Sequence, residues 1–195
     1  MSDIWNDATR ITGIAAWLAV TASVVWGLAI AGKNLSTSVA PAALRRPASA
    51  MLHAHRFLAT FAVVAAVLHA LAVMADDRVT VGVLQLIVPL SHEEPTRVAW
   101  GVVAFQLLIA VHVTALAMRF LTRKAWTTIH RLGLAVYVIA TYHAVELGHS
   151  ADNVLFKATA LASVHTVLAL VVLRVVRRER RRNRIPAGAR SGGDD

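Results

Sequence analysis

The chain has 195 residues, 57% of them hydrophobic, and a mean hydropathy of +0.59; this excludes an ordinary soluble domain and fits an integral membrane protein. It has no cysteine, which excludes disulfides, thiolate metal sites and iron–sulfur clusters, so redox work would need a cofactor. A formal charge of +9 could suit nucleic acid, but the distribution of that charge points to a lipid bilayer and to no nucleic-acid partner.

In chain order, residues 1–9 are acidic and offer no cleavable signal. Residues 11–31, with Trp17 and Trp26, are apolar over a length that spans a membrane. The connector 32–50 carries Lys33, Arg45 and Arg46 with Pro41 and Pro47, and reads as irregular. Residues 51–75 form the second predicted span and 97–121 the third. Between them, the apolar run 79–90, with Pro89 near its end, is too short to cross and reads as a re-entrant or interfacial cap on the outer side. Residues 126–147 and 153–176 complete five spans. An outside N-terminus then places sixteen of the twenty basic residues on the cytoplasmic face. Only Arg10, Arg78, Arg97 and Lys157 remain outside, beside eight of the eleven acids. The expected fold is therefore an all-α bundle of five transmembrane helices, N-terminus outside and C-terminus cytoplasmic, in a multi-pass protein of the cell membrane. Residues 1–176 make the membrane domain, and 177–195 a basic, disordered cytoplasmic tail. The basic run from Arg174 reads first as a stop-transfer anchor on anionic lipid, and second as a docking surface for an electron donor.

Two apolar stretches carry histidines in matched pairs. His55 and His69 are fourteen residues apart and His130 and His143 thirteen, so each pair spans about 20 Å of helix axis. A polar ring inside a bilayer needs a partner to offset its cost, and imidazoles are the usual axial ligands of haem iron. With the predicted topology the second and fourth spans run the same way. His55 and His130 then lie near the cytoplasmic face, and His69 and His143 toward the outside. Pairing across the helices gives two bis-histidine haems, one above the other. The helical wheel supports this for His55 and His69, which fall within about 40° of each other. It does not for His130 and His143, about 140° apart, so the fourth helix must be tilted, rewound or approached sideways.

At these residues the chain resembles the ferric reductase-like transmembrane family, which includes the membrane halves of NADPH oxidases and the haem-binding membrane subunit of the periplasmic methionine sulfoxide reductase system. Its signature is a His-Arg with a second histidine about fourteen residues on, matched by His55-Arg56 and His69. A second helix opens Trp-x-x-(Ile/Leu)-His-Arg-Leu with a histidine thirteen residues on, matched by Trp126 through Leu132 and His143. The resemblance covers residues 51–176. It implies haem ligation by His55, His69, His130 and His143, two b-type haems, and single-electron transfer across the membrane to an extracytoplasmic acceptor. The sequence departs from the oxidases in having no Gly-x-Gly-x-x-Gly fingerprint and no soluble stretch long enough for a flavin and nicotinamide domain. The expected donor is thus a separate cytoplasmic flavoprotein, a bound flavin or a quinol. One alternative is the membrane subunit of a two-component reductase serving an exported partner protein. Another, from a different class, is a non-redox small transporter or scaffold that uses intramembrane histidines for protons.

The remaining polar residues have plainer readings beside functional ones. Arg56 and Arg131 follow the inner ligands, where a guanidinium would fork onto a haem propionate; the positive-inside rule explains them equally. His53 competes with His55 but lies about 160° from His69 on the wheel. His112 and His165 read as hydrogen-bonded interior residues, with quinone or proton handling as the alternative. Trp100 and Trp126 read as interfacial belt residues. His92-Glu93-Glu94 with Glu146, His149 and Asp152 could attract a ferric ion or another cationic acceptor near the outer haem; a solvated acidic outer surface explains them equally.

Overall fold

The computed structural model describes residues 2–31, 48–76, 81–89, 95–147 and 153–183. Among them every regular element is helical: α1 (Ser2–Ala31), α2 (Ala48–Ala75), α3 (Val83–Ile87), α4 (Pro95–Leu116), a 3₁₀ turn (Met118–Phe120), α5 (Arg123–Arg131), α6 (Gly133–Leu147) and α7 (Val154–Asn183). Four helices are long and apolar enough to cross a membrane, over Ile4–Ala31, Ser49–Ala75, Val98–Leu116 and Val154–Arg180. The chain is a multi-pass membrane protein.

Three expectations need correction. The fourth predicted span is not one helix but two, α5 and α6, because the Leu132 N–H turns back to the Ile129 carbonyl at 2.9 Å and tightens the backbone there. The first helix starts at Ser2 rather than residue 11, since residues 2–10 contain neither glycine nor proline to stop it. The last helix runs on to Asn183, so residues 177–183 are helical rather than disordered; arginine and glutamate are good helix formers. Residues 184–195 lie outside the described residues, as does most of the connector 32–50. Within the described part of the short run 79–90, residues 81–89, the one helix is α3, five residues long. The Gln106 side-chain amide of α4 donates to the Leu86 and Ile87 carbonyls at 2.8 and 2.9 Å, capturing the end of that helix.

α2 divides lipid from interior by its own periodicity. Phe57, Phe61, Val64, Leu68 and Leu71 are exposed at alternating steps of three and four, one continuous apolar stripe. His55, Ala62 and His69 recur every seven residues on the other side, and Ala62 is buried at 1% exposure. α1 packs along that inner face. The core joins Ala19 and Val20 of α1, Ala62 of α2, Val136 and Tyr137 of α6 and Val167 of α7. Ala62 falls midway in sequence between His55 and His69, and Val136 and Tyr137 midway between His130 and His143, so this core lies between the levels of the two histidine pairs. Polar ties join these helices: the Trp17 indole donates to Thr141 Oγ1 at 3.1 Å, and the Tyr137 hydroxyl meets Ser163 Oγ at 2.8 Å. α6 is thereby held between α1 and α7.

Candidate functional site: two stacked histidine pairs

α2 carries no glycine or proline and many alanines, so it holds His55 and His69 rigidly on one face. The structure brings His55 against His130, ring centres 6.0 Å apart and planes at 84°. It brings His69 against His143, with ring centres 6.4 Å apart and planes at 73°. α2 and the α5–α6 pair therefore run parallel. None of these rings is among the exposed residues.

A metal between two imidazoles fixes their spacing. With bonds of about 2 Å and about 1.1 Å from nitrogen to ring centre, the centres stand roughly 6 Å apart. Both pairs match this value.

Hydrogen bonds settle one ring nitrogen in each α2 histidine. His55 Nδ1 lies 3.0 Å from the Ser23 carbonyl and His69 Nδ1 3.0 Å from the Thr9 carbonyl. A carbonyl only accepts, so Nδ1 carries the proton in both and Nε2 keeps the lone pair a metal would use. Ser23 Oγ is also 3.3 Å from His55 Nδ1, sharing that donor. His130 is held differently, by the Trp126 indole stacked on it at 5.2 Å and 17°.

Three of the four rings also face a glycine. A Cβ at Gly13 would stand 2.9 Å from His69 Cε1, one at Gly27 3.2 Å from His55 Cε1, and one at Gly101 2.6 Å from His143 Cε1. Such close approach of a ring to a helix backbone requires the missing side chain. Beside the outer pair lies a mainly apolar cavity of about 250 Å³, bordered by His69, His143, Trp17, Phe105, Leu86 of α3 and Phe156 of α7. Around the inner pair, His130 Nδ1 and the indole nitrogens of Trp126 and Trp26 are buried with no hydrogen-bond partner among the described residues. An orphaned buried donor costs about 1–3 kcal/mol, so donors left this way suit a bound group with acceptor atoms. The outer pair thus offers an apolar cavity and the inner pair unpartnered buried donors, and each level offers two facing imidazoles that could share a metal.

Other candidates fall elsewhere. His53 is exposed beside the half-buried His55. His165 is exposed on α7 and donates from Nδ1 to the Leu161 carbonyl of its own helix at 2.8 Å, and His112 is half-buried on α4. Arg56 and Arg131 are exposed. Glu146 is exposed as well, whereas His92, Glu93, Glu94, His149 and Asp152 lie outside the described residues. Sequence reasoning missed Gly13, Gly27, Gly101, Thr9, Ser23 and the stacking role of Trp126. A signal was present: Gly13 and Gly27 repeat the fourteen-residue step of His55 and His69.

These features define a class: a helical membrane bundle that stacks two facing imidazole pairs across its thickness. The family model for the ferric reductase like transmembrane component matches residues 12–141, two thirds of the chain, and the protein belongs to that family. His143 falls two residues beyond the matched segment. No curated protein and no solved structure gives a significant match to the chain.

Proposed function

We propose that this protein carries single electrons across the cell membrane through two b-type haems, one between His55 and His130 and one between His69 and His143. The reading rests on one observation above the others: two imidazole pairs at the separation that a shared metal imposes, about 20 Å apart along the helices. A haem held on both sides by these imidazoles would leave no site open to substrate and would supply outer-sphere electron transfer. The chain's own residues do the rest. The four imidazoles would hold the haems, His55 and His69 through Nε2, while glycines let three of the rings sit against neighbouring helices and the Ala62–Val136 layer keeps water from the space between the levels. Arg56 and Arg131 are placed to fork onto carboxylates at the inner face.

Five crossings, with the α5–α6 pair as the fourth, put the N-terminus outside and the basic end of α7 in the cytoplasm. The donor in this reading is a separate cytoplasmic flavoprotein or a quinol, and the acceptor lies outside, as a soluble ion or an exported partner protein. An absorption spectrum of the detergent-purified chain, oxidised and then dithionite-reduced, tests the proposal together with a pyridine haemochrome count. Two low-spin b haems per chain are expected; colourless protein from haem-replete cells overturns the reading.

A further inference from the structure

We propose that α1 is the positioning helix of this site, through two copies of one short pattern: Thr9-x-x-x-Gly13, which sets His69, and Ser23-x-x-x-Gly27, which sets His55. The inference rests on the haem reading for its purpose, but its geometry stands apart from it.

In an α-helix the carbonyl of residue i already accepts from the N–H of residue i+4, and the side chain at i+4 ordinarily covers its second lone pair. Glycine at i+4 uncovers it. Both α2 histidines use that opening, each donating Nδ1–H at 3.0 Å to the carbonyl four residues before a glycine, Thr9 before Gly13 and Ser23 before Gly27. The same glycine clears the ring, since a Cβ would meet Cε1 at 2.9 Å at position 13 and at 3.2 Å at position 27. Two copies fourteen residues apart on α1 oppose two histidines fourteen residues apart on an antiparallel α2. The register is kept from one level to the other.

Chemically, a carbonyl accepting from Nδ1 fixes the tautomer and raises the basicity of the ligating nitrogen, which favours the ferric state. The levels differ in one respect. Ser23 Oγ shares the His55 proton at 3.3 Å, whereas Thr9 Oγ1 is buried with no hydrogen-bond partner among the described residues. α1 therefore meets the inner ligand with a carbonyl and a hydroxyl, and the outer with the Thr9 carbonyl but not the Thr9 hydroxyl.

The test uses the full chain with Gly13→Ala, Gly27→Ala and Ser23→Ala, and Gly133→Ala as a control whose methyl enters open space. Redox titration and low-temperature electron paramagnetic resonance report each haem separately. Gly13→Ala is expected to lose or shift the outer haem alone, and Gly27→Ala to shift the inner alone and by less. Ser23→Ala keeps both haems and raises only the inner potential. Two haems unmoved by either glycine substitution, or an outer potential that follows Ser23→Ala, overturns the inference while leaving the haem reading intact. ¹⁵N spectra of the haem-free, histidine-labelled chain, assigned with His55→Gln and His69→Gln, judge the grip independently. Nδ1-protonated signals for both rings, each lost on alanine substitution of its own glycine, support it even if the purified chain is colourless. Signals indifferent to those substitutions reject it.

Discussion

Thirteen residues separate His130 from His143 where fourteen separate His55 from His69, and the backbone at Leu132 takes up part of the mismatch. Its i→i−3 hydrogen bond winds about 20° further per residue than an α-turn, bringing two rings that a straight helix would point apart toward the same partner helix. In the proposed haem reading each ring would depend on its opposite number, because a single imidazole would hold the iron weakly or leave it open. His69→Ala and His143→Ala should therefore lose the same haem, and His55→Ala and His130→Ala the other, each lowering the pyridine haemochrome count from two to one. A cross-paired loss would dissolve the assignment. His53→Ala and His165→Ala, both at exposed positions, should leave the visible spectrum unchanged.

Helices in this bundle are fastened by a few polar ties amid many apolar contacts. The Trp17–Thr141 bond joins α1 to α6 beside the outer histidine level, and Trp17 is only 3% exposed. Thr141→Val keeps the shape and removes the acceptor, stranding a buried indole N–H at a cost of about 1–3 kcal/mol. A lower thermal unfolding midpoint in detergent, with the reduced spectrum retained, is the expected result. Gln106 plays a comparable part for α3, which is too short to be stable alone. Gln106→Leu should raise amide hydrogen exchange across residues 83–88 several-fold and leave α4 protected.

For the whole molecule, the number of crossings decides where the ends lie. Four crossings would leave both termini on one side; five separate them. The absence of native cysteine makes the measurement clean. Ser2→Cys should react with an impermeant maleimide in intact cells, and Ser191→Cys only after permeabilisation. Labelling of both from the same side would show that α5 and α6 do not cross. The asymmetry of charge, sixteen basic residues against four, is the force that makes five the expected answer.

Much of this architecture is written in local chemistry. Hydropathy alone marks the runs that become α1, α2, α4 and α7, because a bilayer tolerates only segments that satisfy their own backbone and expose apolar side chains. The histidine spacing on α2, near four turns, places both rings on one face by periodicity. What the linear chain could not convey is how a neighbour relieves or imposes a constraint. The break at Leu132 comes from a single tightened hydrogen bond that composition does not announce. The extension of α7 to Asn183 follows helix propensity through charges that read as a tail. Only tertiary packing sets Gly13 and Gly27 of α1 against the rings of α2, and Gly101 of α4 against His143. A ring's partner, its tautomer and the room it occupies are properties of a second helix brought alongside, and no residue carries them by itself.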